Sequence, residues 1–205
     1  MNQDKALDIL KSGKNVFLTG SAGAGKTYTL NAYIHWLKEH KVPAAVTAST
    51  GIAATHMNGI TIHSWSGIGI KDAIAPKDIE NLKTKKYLMK GVENTEILII
   101  DEISMLHRNQ LDMVNTVLKA LKKSREAFGG MQVVFAGDFF QLPPVTRTRE
   151  LSRDKFAFMS QAWQEASPTV CYLTEQHRQS DNELNEILNT LLVPSVYYDR
   201  LIRPE

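Results

Sequence analysis

Gly20-Ser21-Ala22-Gly23-Ala24-Gly25-Lys26-Thr27 decides how this chain is read. It fills the pattern G-x-x-x-x-G-K-[ST], the phosphate-binding P-loop. Four fixed positions match by accident in roughly 1% of chains this long. The context lowers that further. The apolar run Val16-Phe17-Leu18 predicts a strand before the loop, and residues 26–41 predict a helix after it. In that setting the glycines let backbone N–H groups converge on phosphate oxygens at a helix N-terminus, where the dipole favours negative charge. Gly20, Ser21, Ala22, Gly23, Ala24, Gly25, Lys26, Thr27 and the next residue, Tyr28, are therefore the candidate nucleotide-binding set. Lys26 is expected to reach the β/γ-phosphates of ATP and the Thr27 hydroxyl to hold Mg²⁺.

Working outward, five apolar runs (16–18, 44–47, 97–101, 133–136 and 170–173) alternate with helical patterns over 26–41, 51–57, 77–90, 110–125 and 160–165. The runs are continuously apolar rather than alternating, which suits parallel strands covered on both faces. The order predicts an α/β P-loop NTPase with a doubly wound, mostly parallel sheet flanked by helices. Ligands should gather at the carboxyl ends of its strands, where Gly20, Ser49, Asp101 and Asp138 fall. Residues 181–192 read as one more amphipathic helix, with Leu184, Ile187, Leu188 and Leu191 on one face.

Bulk properties bound the rest. With 205 residues and 43% apolar content, the chain suits one domain with a full core. A net charge of +2 argues neither for nor against nucleic acid. Cys171, the one cysteine, sits in an apolar run and reads as a buried strand residue, and no disulfide within the chain is possible. No apolar stretch approaches the length of a membrane span, and the start lacks a signal-peptide apolar region. The expected location is cytoplasmic, or nucleoid-associated in a bacterium, with no membrane partner.

Ile97-Leu98-Ile99-Ile100-Asp101-Glu102 is an apolar strand ending in two carboxylates, a Walker B arrangement. Strand alternation points the two side chains in different directions, so they can take different tasks. Asp101 can hold Mg²⁺, and Glu102 can act as general base on the attacking water. A carboxylate beyond the metal ligand argues for hydrolysis rather than nucleotide binding alone. Downstream, residues 133–145 run from a strand into the turn Gly137-Asp138-Phe139-Phe140-Gln141, where the Gln141 amide can sense phosphate or orient water. A fifth strand end carries Gln176-His177-Arg178, where Arg178 can bind phosphate bidentately.

Together, GSAGAGKT, TASTGIAATHMNGITIHSW, LIIDEISML, FAGDFFQLPPV and LTEQHRQ resemble the Pif-type DNA helicases of the RecD-like 5′→3′ branch of helicase superfamily one. The resemblance covers most of residues 1–192 and implies a RecA-like motor domain that binds and hydrolyses ATP. It implies that Gln3 reads adenine, that Asp101 and Glu102 are the metal and catalytic carboxylates, and that Gln141 and Arg178 contact the γ-phosphate. It also implies that the stretch Thr47–Ile52, which contains Thr50 and Gly51, belongs with Thr61, His63 and Trp65 to a segment tracking single-stranded DNA. Physical reasoning leaves that segment open. Hydroxyls suit phosphates and Trp65 offers a stacking face, but Ser49 and Thr50 could equally cap a helix starting at Gly51, and Trp65 could pack in the core.

Departures from the pattern matter too. Leu192 stands where an arginine is usual and Pro194 where a glycine is usual. The expectation is a first motor domain over 1–192 and an irregular tail over 193–205, with the second RecA-like domain missing and only weak binding of single-stranded DNA. Such a chain should be a poor ATPase and no autonomous helicase. A stand-alone P-loop ATPase or nucleotide-gated adaptor is the alternative, and a degenerate binding module is a third. Two basic clusters, Lys83-Lys85-Lys86-Lys90 and Lys119-Lys122-Lys123-Arg125, could add DNA affinity or simply be solvated helix faces.

Overall fold

The computed structural model describes residues 1–145 and 153–174. Six strands form one sheet: β1 (Val16–Gly20), β2 (Ala44–Ala48), β3 (Ile60–Thr61), β4 (Ile97–Asp101), β5 (Gln132–Ala136) and β6 (Thr169–Leu173). Their spatial order is β3-β2-β4-β5-β1-β6, and every pairing is parallel. The consequence for function lies in the middle. β4, β5 and β1 are neighbours, so the ends of the P-loop strand and the double-carboxylate strand flank the end of β5.

Strand alternation sorts the core into two layers. Val16, Leu18, Ile97, Ile99, Val134 and Ala136 face one side, with Ala6 and Leu10 of α1 (Gln3–Lys11) and Leu30, Tyr33 and Leu37 of α2 (Lys26–Glu39). Phe17, Leu98, Ile100, Val133 and Phe135 face the other. They meet Leu111, Val114 and Leu118 of α7 (Arg108–Lys122) and Trp163 of α8 (Gln161–Ala166). Each Val, Leu, Ile or Phe among these strand residues contributes about 1.5–3 kcal/mol on removal from water. A doubly covered parallel sheet therefore needs the continuous apolar runs read from the sequence.

On the second side the aromatics are concentrated. Phe135 stacks on Trp163 at 4.6 Å between centroids, and Phe17 meets the same indole edge-on at 5.1 Å. Phe139 lies 5.2 Å from Phe17 and 4.8 Å from Phe158. Phe139 follows Asp138 directly, so this cluster anchors the loop that leaves β5.

Four features differ from the sequence expectation. α1 was not anticipated as a helix, although Asn2 caps it by accepting from Lys5 N–H at 3.1 Å. The short β3 and the helix α4 (Ile62–Ser66) also emerge from an unassigned stretch. The helix expected over 77–90 is two helices, α5 (Pro76–Lys83) and α6 (Lys86–Asn94). Thr84 ends the first by donating its hydroxyl to Asn81 O at 2.8 Å, and Lys85 is extended. Finally, two residues of the second basic cluster are engaged in structure. Lys122 Nζ donates to Thr95 O at 2.6 Å and Val92 O at 3.2 Å, tying down the end of α6, and Lys119 pairs with Glu165. Arg178, the helix expected over 181–192 and the tail 193–205 lie outside the described residues.

Candidate active site

The loop between β1 and α2 is shaped by its glycines. At Gly20, φ is +153° and a Cβ would sit 2.7 Å from Leu173 O, so a side chain there would push β6 away. At Gly25, φ is +86°, left-handed, immediately before the first turn of α2. Gly25 is the N-cap of α2 and offers no side chain to the first N–H groups. Those donors are left for an anion, as in other helix N-termini that bind phosphate. The turn is closed by Ala24 N–H donating to Ser21 O at 3.2 Å.

Gln3 reaches this loop from α1. A Cβ on Gly25 would lie 1.9 Å from Gln3 Nε2, and that amide is 3.5 Å from Ala24 O. Gln3 is thus placed beside the phosphate loop by an unanticipated helix. Ala24 is buried, Thr27 and Ala22 are exposed, and the Tyr28 side chain is 69% exposed at the first turn of α2.

Lys26 folds back over the loop, its Nζ donating to Gly20 O at 2.7 Å and Ser21 O at 3.1 Å. Burial pulls its pKa below the ordinary lysine value, and the charges of Asp138, Glu102 and Asp101 oppose that shift. Three carboxylates therefore act on the charge of one ammonium. Asp101 feels this directly. Burial, with the Glu102 charge adding to it, pushes its carboxyl up to about 6, against the Glu102 N–H bond and the Lys26 charge.

Mg²⁺ fits this donor set. Thr27 and Asp101 offer hard oxygen ligands, and the carboxylate excess calls for added positive charge. Among the described residues no group of three or more His, Cys, Asp or Glu could hold a metal alone.

At the end of β5, Asp138 is buried and accepts from Phe140 N–H at 3.0 Å. It also binds Gln141 Nε2 through Oδ2 at 3.1 Å. The sequence singled out Gln141 and left Asp138 as a strand-end residue. Its signal was the step from an apolar strand into Gly137-Asp138, the same step that marks Asp101.

Two hydroxyls in the segment after β2 cap helices. Thr50 Oγ1 accepts from Ala53 N–H at 3.3 Å and is the N-cap of α3 (Gly51–His56). Thr61 Oγ1 accepts from Ser64 N–H at 3.2 Å at the start of α4. Ser49 does not cap; its hydroxyl donates to Glu102 O at 2.7 Å. Trp65 is half-buried against the core, Gly51 is exposed and His63 is half-buried.

A family model described as PIF1-like helicase matches residues 2–191. The chain is 63% identical over 198 residues to an ATP-dependent DNA helicase Pif1 of a Psychrobacter species, covering 93% of this chain and 30% of that one. Its fold matches the crystal structure of the Pif1 helicase from Candida albicans with a TM-score of 0.85 at 38% identity, over 98% of this chain and 47% of that one. It also matches a Bacteroides Pif1 helicase in complex with ADP-AlF3 and ssDNA, with a TM-score of 0.79 at 36% identity, over 93% of this chain and 46% of that one. The chain spans less than a third of the Psychrobacter relative's length and less than half of either solved chain.

Proposed function

The chain belongs to the PIF1-like helicase family and has its RecA-like α/β fold, and on that premise we propose that it is the ATP-hydrolysing motor domain of a 5′→3′ DNA helicase. The carrying observation is the convergence of Lys26, Asp101, Glu102, Asp138 and Gln141 at the ends of three adjacent strands.

In this reading the P-loop amides and Lys26 cradle the triphosphate, and Lys26 leaves the carbonyls of Gly20 and Ser21 to reach the β/γ-phosphates. Thr27 and Asp101 hold Mg²⁺, which when bound neutralises charge on the phosphate oxygens. Gln3 reads the adenine beside the loop. Glu102 takes the proton of the attacking water as its oxygen bonds to the γ-phosphorus, and the bond to the β–γ bridging oxygen breaks, leaving ADP and phosphate. Gln141, held by Asp138, and Arg178 contact the γ-phosphate. The segment containing Thr50, Gly51, Thr61, His63 and Trp65 tracks single-stranded DNA. Thr50 and Thr61 cap helices through their hydroxyl oxygens, and the Thr50 O–H keeps its hydrogen to donate to a phosphate, beside backbone groups and the faces of His63 and Trp65. A second RecA-like domain completes the ATP site and the DNA groove.

The test is ATP turnover by the chain with and without single-stranded DNA, beside Glu102→Gln. The amide keeps the shape of the carboxylate and cannot accept the proton. Weak, DNA-responsive turnover that disappears in Glu102→Gln with ATP affinity retained supports the reading. Turnover at the parent rate in Glu102→Gln removes the base assignment.

A further inference from the structure

β2 and β4 run in register with Ala48 opposite Asp101. One residue beyond that pair, Ser49 makes two bonds across to β4's end. Its N–H donates to Asp101 O at 3.0 Å, and its Oγ donates to Glu102 O at 2.7 Å. The peptide between those two carbonyls is unusual. Glu102 has φ +51° and ψ +44°, a left-handed conformation uncommon for a residue with a Cβ. Its own N–H is tied to Asp101 Oδ1 at 2.9 Å, and its carbonyl also accepts from Met105 N–H at 3.0 Å.

A strained backbone of this kind persists only where its surroundings over-determine it. Ser49 reaches it from a different strand, whereas Asp101 and Met105 are local. The Glu102 carboxylate projects from the Cα whose conformation Ser49 helps to set, so its aim at a bound water follows the clamp. Ser49 also directly precedes Thr50, the N-cap of α3. A displacement of the α3 N-terminus is thereby carried by one residue to the peptide of the general base.

We propose that Ser49 is a positioning residue that holds Glu102 in its left-handed conformation and couples the α3 segment to hydrolysis. The proposal rests on the reading of Glu102 as the base. It does not require Ser49 to touch nucleotide or DNA.

Single-turnover ATP hydrolysis, with chain in excess and with or without oligothymidine, tests it in the parent, Ser49→Ala and Glu102→Gln. Affinity for a fluorescent ATP analogue and the thermal midpoint are measured alongside. Ser49→Ala is expected to lower the hydrolysis rate constant by about 10- to 100-fold, the scale of a small misplacement of a catalytic group. Nucleotide affinity and midpoint should stay near the parent's, and the response to oligothymidine should be lost. Parent-rate hydrolysis by Ser49→Ala while Glu102→Gln is silent overturns this proposal and leaves the base assignment standing. A loss of rate matched by a loss of affinity or a collapsed midpoint also overturns it, by showing a structural role only. Parent-rate hydrolysis by Glu102→Gln overturns the base assignment and this proposal with it.

Discussion

Asp138 holds Gln141 at two points: Gln141 N–H donates to Asp138 O at 3.0 Å and Gln141 Nε2 donates to Asp138 Oδ2 at 3.1 Å. The turn is therefore fixed by backbone and side chain together. The same Asp138 is the largest charge opposing the pKa depression of Lys26. One buried carboxylate thus acts on both the proposed phosphate-binding lysine and the proposed γ-phosphate sensor.

Asp138→Ala should separate binding from turnover. Removing a negative charge from the phosphate site favours ATP binding or leaves it unchanged. Freeing the Gln141 amide should lower turnover by about tenfold, the scale of one lost positioning contact. Titration with a fluorescent ATP analogue and a hydrolysis assay on the same preparation check the split. Weaker ATP binding in Asp138→Ala would contradict the charge argument.

Lys26→Ala should weaken ATP binding by about 10- to 100-fold, the worth of roughly 1.5–3 kcal/mol for a charged hydrogen bond. The fold should survive, because the two bonds lost are part-buried ones to the carbonyls of Gly20 and Ser21 at the end of β1, not contacts between apolar core side chains. Isothermal titration calorimetry measures the affinity, and unchanged binding would remove Lys26 from the phosphate site.

Trp163 is 3% exposed and stacks on Phe135 between β5 and α8. Trp163→Ala should cost about 3–5 kcal/mol, which lowers the melting midpoint by roughly 10 °C in a chain of this size. Because Phe139 also packs on Trp163, at 5.8 Å, the variant should lose more turnover than nucleotide affinity. Differential scanning calorimetry with the hydrolysis assay reads both effects.

Cys171 is buried in β6, and burial pushes its thiol up to about 11 from 9.0. Two consequences are measurable. At pH 8 the native thiol should react with iodoacetamide roughly 100-fold more slowly than in urea, because the thiolate is the nucleophile. The sign for stability follows from a raised pKa. The contribution is fully present below pH 9 and is lost as pH rises through about 11, by about 3 kcal/mol. Cys171→Ala should remove that part of the alkaline loss, read as the difference in unfolding free energy between the two proteins from pH 8 to pH 11.

The sequence by itself determined five of the six strands and the two local strings of the proposed ATP site. Short continuous apolar runs alternating with helical patterns suit strands buried on both faces, and the P-loop and the Asp101–Glu102 pair are local strings whose chemistry is written in consecutive residues. Tertiary structure decided what depends on contacts between distant segments. The order β4-β5-β1 makes Asp138 a neighbour of Lys26, and no local pattern encodes strand order. Gln3 gains its place at Gly25 because α1 packs beside α2. The hydroxyls after β2 looked interchangeable in the sequence, yet Thr50 caps α3 while Ser49 crosses to Glu102. The choice lies in the parallel register of β2 with β4, which carries Ser49 one residue past Asp101 and up to the carbonyl of Glu102. Local propensity sets which residues can donate a hydrogen bond, and only the packed sheet sets which acceptor each one meets.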